Sequence, residues 1–186
     1  GFGEGNQQHR FNGFSYGLDN WFYLANGDSG GMIENPRSGQ RLNIQGRDLR
    51  FRKTTDELLL EAQSGQTQFG RHRDDWGNWF GVQNSHPLWH YVLADHNIRR
   101  NPHFAPPNPK QQVVTPTNPK VYPASQLQKR YHSFNQSGRF TSACSPMIYR
   151  DDHLFDRGSQ QHAFTCEPFH NLVQHNLIVD QGVSFG

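Results

Sequence analysis

Phe11-Asn12-Gly13-Phe14-Ser15-Tyr16-Gly17, followed by Trp21-Phe22-Tyr23-Leu24-Ala25, is the stretch that sets the class of the fold. Both runs are rich in aromatic side chains, and only Leu18-Asp19-Asn20, a short turn-forming joint, separates them. They read as a β-hairpin. Downstream, Leu49-Arg50-Phe51-Arg52 alternates apolar and charged side chains, as a half-buried strand does, and residues 57–62 return across Lys53-Thr54-Thr55-Asp56. Ser145-Pro146-Met147-Ile148-Tyr149, Ala163-Phe164-Thr165-Cys166 and residues 171–179 read as further strands. No segment carries a sustained helical stripe, so the expected class is all-β.

Seven of the eleven prolines fall between Pro102 and Pro123, so that stretch is expected to hold neither a helix nor a central strand. Strands of the same character resume after it. The expectation is therefore a long Pro-rich surface loop at about 101–125, inside one domain that spans residues 1–186.

The 186 residues are 33% hydrophobic, 13% aromatic and 18% charged, with a formal net charge of +2. Aromatic rings bury a large area each, so a core is feasible despite few aliphatic residues. Lys and Arg are interspersed with Asp and Glu and form no basic block, which disfavours nucleic acid as a partner. No run approaches the ~18 apolar residues of a membrane helix, so no membrane insertion by this segment is expected. Residues 1–5 lack the basic and apolar regions of a secretory signal.

Short strands with Gly-rich and Asp-rich turns fit a sandwich, a barrel or a propeller. At roughly 40 to 50 residues per propeller blade, the chain without its Pro-rich loop holds about three blades of four-stranded antiparallel sheet. Three blades do not close a ring, and the chain lacks an initiating Met. The expectation is a partial β-propeller, excised from a longer one, whose open faces make the isolated piece poorly soluble or inactive.

Gly27-Asp28-Ser29-Gly30-Gly31 matches the nucleophile string of trypsin-like proteases. That family needs a His and an Asp well upstream, in an Ala-Ala-His-Cys setting for the His. Upstream of the Gly27-Asp28-Ser29 string the chain offers only His9 and Asp19, and neither lies in such a segment. A tight turn, with glycine at positive φ and Asp28 as its cap, is the simpler reading.

The series His9, Gly17, Asp19, Tyr23, Gly27 and Asp28 resembles the soluble pyrroloquinoline-quinone (PQQ) sugar dehydrogenases, with Gly17-Leu18-Asp19 where that family has Gly-Pro-Asp. The resemblance covers residues 9 to about 52. It implies that His9 is the general base that takes a proton from a sugar hydroxyl, a task suited to an imidazole titrating near neutral pH. The alternative for His9 is a hydrogen-bonded histidine at a blade edge.

A broader resemblance covers nearly the whole chain. Its motifs are Arg10-Phe11-Asn12-Gly13, Gly46-Arg47-Asp48, residues 66–81, Pro87-Leu88-Trp89-His90-Tyr91-Val92-Leu93, Thr141-Ser142-Ala143-Cys144, Ile148-Tyr149-Arg150-Asp151-Asp152 and Cys166-Glu167-Pro168-Phe169-His170-Asn171-Leu172-Val173. They are similar to the membrane-bound dehydrogenase family abundant in planctomycetes and verrucomicrobia. That resemblance implies a sugar-dehydrogenase-like β-propeller, often followed by a c-type haem domain. It also implies periplasmic or exported oxidation of a carbohydrate-like alcohol, with electrons passed to a quinone or haem acceptor. The chain contains no Cys-x-x-Cys-His, so a c-type haem is expected to lie C-terminal to it.

Within residues 70–81 the resemblance implies that Arg73, or else Arg71, contacts the quinone and stabilises the negative charge of its reduction. The alternative is an ion-pair network of Arg71, Arg73, Asp74 and Asp75. A non-catalytic propeller that binds glycans or protein partners is the competing function. If a catalytic site exists, His9 and Arg73 must converge on one mouth of the propeller. Asp28 and Asp151-Asp152 could offer oxygen ligands to Ca²⁺, an ion the sugar dehydrogenases use, although short acidic turns more often do turn chemistry. Cys144 and Cys166 flank neighbouring strands and could form a disulfide in an oxidising compartment. The alternative is a metal set of Cys166, His170 and His175, with or without Cys144, whose spacing matches no common zinc pattern. His86 and His90 are an i,i+4 pair that would share a helix face, but Pro87 and the aromatic neighbours oppose a helical metal clip.

Overall fold

The computed structural model describes residues 5–105, 107–123, 138–156, 158 and 160–186. The aromatic hairpin is present: β1 (Asn12–Tyr16) pairs antiparallel with β2 (Phe22–Ala25). A small hairpin follows, β3 (Met32–Glu34) with β4 (Arg41–Asn43). Then β5 (Asp48–Lys53) returns beside β2 and β6 (Leu58–Gln63) completes a four-stranded sheet in the order β1-β2-β5-β6. The alternation of residues 49–52 thus marks a real strand.

The second sheet is made of β7 (Arg71–Arg73), β8 (Trp79–Gln83), β9 (His86–Tyr91) and β10 (Lys110–Gln112), again antiparallel throughout. A single helical turn, α1 (Asp95–Ile98), separates β9 from β10. β10 lies inside the stretch expected to be loop. It follows Pro109 directly and occupies the sheet edge, where the missing N–H of a neighbouring proline breaks no central ladder. Residues 106, 124 and 125 of that expected loop lie outside the described residues.

The third sheet is β11 (Cys144–Tyr149), β12 (Gln161–Glu167) and β13 (Leu172–Ile178), followed by the hairpin β14 (Asp180–Gln181) and β15 (Ser184–Phe185). The architecture is all-β, in successive antiparallel meanders. No described helix is long and apolar enough to cross a membrane.

The first strand of each sheet packs on the first strand of the next, and all three run the same way. Asn12 donates from Nδ2 to the Gln68 carbonyl (2.7 Å) and accepts at Oδ1 from the Gly70 N–H (2.8 Å). Ser15 Oγ donates to the Arg71 carbonyl at 2.9 Å. Between β7 and β11, the Ser145 N–H donates to the Phe69 carbonyl (3.0 Å) and the Ile148 N–H to His72 Nδ1 (3.2 Å). Accepting at Nδ1 keeps His72 neutral, and burial, with the charges of Arg150 and Arg73, lowers its pKa.

Phe80, Leu88, Val113, Ile148, Ala163, Ile178 and Phe185 form one buried cluster between the second and third sheets. Each large side chain there contributes on the order of 1.5–3 kcal/mol. His90 sits among them, 5.3 Å from the Phe80 ring and 4.9 Å from Phe185, with Nδ1 against Ser184 Oγ. Burial lowers its pKa from 6.5 to about 4. The unfolded chain therefore takes up this proton at higher pH than the folded one. The contribution of His90 is fully present above about 6.5 and is lost as pH falls through the window down to about 4. Urea unfolding of the wild type is expected to show a loss from this group of about 2–3 kcal/mol across that window. His90→Gln should lose correspondingly less, and equal losses in both proteins would remove His90 as the cause.

Candidate functional site

Because the three inner strands are co-directional, the sheets have a leading end, where β1, β7 and β11 begin, and a trailing end, where they stop. Antiparallel pairing returns β2, β8 and β12 to the leading end, so the segments after those strands meet the segments before β1, β7 and β11. His9 closes a 3-10 turn, Gln7–His9, in which the Gln8 N–H donates to the capping Asn6 side chain. It is half-buried at the leading end, and among the described residues its imidazole has no hydrogen-bond partner.

Its carbonyl accepts the Ser29 hydroxyl. The serine of the Gly-Asp-Ser-Gly-Gly string is thereby tied to main chain and not to an imidazole, which removes the nucleophile arrangement. Gly27 and Gly30 have φ of 73° and 64°, so the string is indeed a glycine turn. Asp28 does not cap it. Its own φ is 72°, and its carboxylate crosses to the second sheet, where it accepts from Gln66 Nε2 and, at 2.7 Å, from Gln83 Nε2. Both carboxylate oxygens are engaged by amides, so Asp28 is occupied as a link between sheets.

Beside this link lies a cavity of about 320 Å³ lined by Gln66, Gln83, His86, Trp89, Asn108, Lys110 and Gln112. Lys110 Nζ stands 4.2 Å over the Trp89 ring, a cation–π contact. Burial lowers the pKa of Lys110 against the opposing pull of Asp48 and Asp28. Burial, with the charge of Lys110, lowers that of His86. Gln83 Oε1 is buried without a partner.

Arg73 is at the other end. Its Nε donates to the Tyr16 carbonyl (2.9 Å) and its Nη1 to the Asp74 carbonyl (2.9 Å), where β1 and β7 stop. From Asn12 to Tyr16 alone the strand spans roughly 13 Å. His9 and Arg73 are therefore not brought together. Arg71 is buried: its guanidinium pairs with Asp48 at 3.1 Å and lies 4.1 Å over the Tyr91 ring. The expected network of Arg71, Arg73, Asp74 and Asp75 has no ion pair among its own members: Asp74 accepts from Trp76 and Asn78, and Asp75 pairs instead with Arg150, exposed, at 3.0 Å. Asp19 at the same trailing end accepts from the Tyr23 hydroxyl (2.8 Å) and Arg50 (3.1 Å), so the Gly17-Leu18-Asp19 turn is a structural staple.

Cys144 and Cys166 stand directly opposite each other across β11 and β12, and both are free thiols. The alternative metal set does not assemble. His170 is buried, with Nε2 accepting from the Gly138 N–H and Nδ1 donating to Glu167 at 3.3 Å, whereas His175 stacks against Phe155, Phe164 and His162. His86 and His90 lie on a strand, β9, as Pro87 indicated. Asp151, Asp152 and His153 bring their ligand atoms within 4.8 Å of one another, all three exposed on the loop after β11.

Against known protein families, residues 1–186 match the model of DUF7133, a domain of unknown function. The chain belongs to the DUF7133 family. No curated protein and no solved structure matches it. The motifs of this DUF7133 chain do not point to Gln66, Gln83, Trp89 and Lys110 as partners of the His9 end. A signal exists in the repeat of Asn20-Trp21-Phe22 by Asn78-Trp79-Phe80. Aligned on that repeat, His9 corresponds to Thr67 and Arg73 to Ser15, so the repeat alone assigns the two residues to opposite strand ends.

Proposed function

We propose that the chain forms three consecutive blades of a β-propeller and that its leading end binds a hydroxyl-rich, carbohydrate-like ligand. The propeller reading is supported by the co-directional packing of β1, β7 and β11, each the first strand of its meander. It is also supported by the outer faces of the end sheets, which keep Tyr16, Phe22, Met147, Val173 and Leu177 exposed, as blade flanks do beneath a neighbouring blade. The ligand reading rests on one observation: His9, the Asp28–Gln66–Gln83 link and an amide-lined cavity share one end. Amides both donate and accept, which is what vicinal hydroxyls require.

A second reading, against which the separation of His9 from Arg73 counts, is oxidation of a carbohydrate-like alcohol, with His9 as base and electrons leaving to a quinone or to a haem outside this chain. The unpartnered imidazole of His9 at that end favours it. For the implied PQQ, however, the residues do not fit: Arg73 is bound at the opposite end and Arg71 is buried against Asp48. Asp28, with both oxygens on amides, is a poor candidate for Ca²⁺. The periplasmic or exported location implied by the dehydrogenase resemblance belongs to this second reading.

Calorimetric titration of the full chain with neutral oligosaccharides tests both. Saturable binding is expected, weakened about tenfold or more by Asp28→Ala and unchanged by Arg73→Ala. Absence of saturable binding, or sensitivity to Arg73→Ala alone, would overturn the leading-end site. Sugar-dependent dye reduction with added PQQ and Ca²⁺, abolished by His9→Ala, would establish the oxidising reading in its place.

A further inference from the structure

Lys110 is a half-buried cation without an ion pair among the described residues. Half-buried charges in a folded protein are usually matched by an opposite charge, because each lost hydration contact must be replaced. The two acids whose charge acts on Lys110, Asp48 and Asp28, are both engaged elsewhere, Asp48 by Asn26, Thr67, Arg71 and Tyr91 and Asp28 by Gln66 and Gln83, and neither forms an ion pair with Lys110. The ammonium is instead held by the Trp89 ring, and its alkyl stem packs around Gly65, where an added Cβ would meet Lys110 Cδ at 2.6 Å. It is a positive charge at the wall of an open cavity that His86, Gln66, Gln83 and Gln112 also line.

We infer that this cavity recognises the anionic substituent of an acidic sugar, a carboxylate or sulfate placed on Lys110, while Gln66, Gln83 and Gln112 face the neighbouring hydroxyls. The inference rests on the carbohydrate reading above and narrows its ligand class. It agrees with the even charge balance of the chain, since one cation selects one substituent and not a polyanion. His86 stands where it can add a second donor to the same group.

Calorimetry of the full chain with galactose, galacturonate and a sulfated galactose separates the possibilities. At least one acidic sugar is expected to bind about tenfold or more tighter than galactose, because a hydrogen bond to a charged group is worth more than a neutral one. Which acid is preferred identifies the substituent. Lys110→Met should reduce the acidic sugar to the affinity of galactose, and Lys110→Arg should retain the preference. Lys110 lies on an edge strand, and circular dichroism of both variants checks that the sheet is intact. Equal binding of all three sugars, or a preference that survives Lys110→Met, would overturn the inference and leave the carbohydrate site standing. No binding of any of them would overturn both.

Discussion

Asp48→Ala is expected to destabilise the protein by about 3–5 kcal/mol, enough to leave much of a marginally stable domain unfolded. Asp48 is fully buried, and its two oxygens serve five donors. Oδ1 accepts the Asn26 and Thr67 N–H groups, both at 2.9 Å. Oδ2 accepts the Thr67 hydroxyl (2.7 Å), Arg71 Nη1 (3.1 Å) and the Tyr91 hydroxyl (3.2 Å). Burial pushes the Asp48 carboxyl upward, and Arg71 with the Thr67 and Asn26 donors opposes that shift. Burial likewise raises the pKa of Tyr91, and Asp48 reinforces it.

Truncation leaves two backbone donors and one buried guanidinium without a partner, which is far worse than never having had the pair. Asp48→Asn should fall between wild type and alanine, because its amide keeps one acceptor but turns a second donor toward Arg71. Urea unfolding at neutral pH measures the order. A loss below about 1 kcal/mol for alanine would show that the network is dispensable.

The second large effect is expected at Gly13. It sits in β1 with φ of 64°, and a Cβ built on it would lie 2.6 Å from Gly70 Cα and 3.2 Å from the Arg71 N atom. These are backbone atoms of β7 and the residue before it, so the contact can be relieved only by parting the two inner strands. Gly13→Ala is expected to cost about 2–4 kcal/mol, the left-handed strain plus the overpacking. Gly39, with φ of 70° and nothing within 4 Å of the position an added Cβ would take, isolates the first contribution. Gly39→Ala should cost only about 1 kcal/mol. Equal melting shifts for the two variants would mean that β1 and β7 are not in close contact.

Those two positions show how unevenly this molecule can be read from its residues. Gly13 is visible as part of Arg10-Phe11-Asn12-Gly13, yet nothing in that run announces a close approach from a strand whose residues lie more than fifty positions later. Asp48 is visible beside Arg47, and Arg71 is visible as a cation. Their pairing follows only when the first and second sheets face each other. The dehydrogenase resemblance implies Arg71 as the second candidate for the quinone contact, and a charged residue is ordinarily exposed. Its position among Tyr23, Trp79 and Tyr91 reverses that expectation.

The candidate site is legible at one point and misjoined at another. His9 and Asp28 do share an end, because β1 and β2 form a hairpin and a hairpin brings its two open ends together whatever the loop contains. Motif order alone joins Arg73 to them. It belongs to the far end, because three residues of β7 are enough to carry the chain from the Gln68 region to the turn.

The amino-acid sequence by itself determined the all-β class and the strands of the first and third sheets, since alternation and turn residues act over a few bonds and need no partner, whereas the second sheet, with β10 inside the expected Pro-rich loop, emerged only in the structure. The tertiary structure alone decided which residues meet: Asp48 with Arg71, Asp28 with Gln66 and Gln83, and Lys110 with Trp89. Each antiparallel return reverses the chain, so proximity depends on register and sheet order and not on spacing along the sequence.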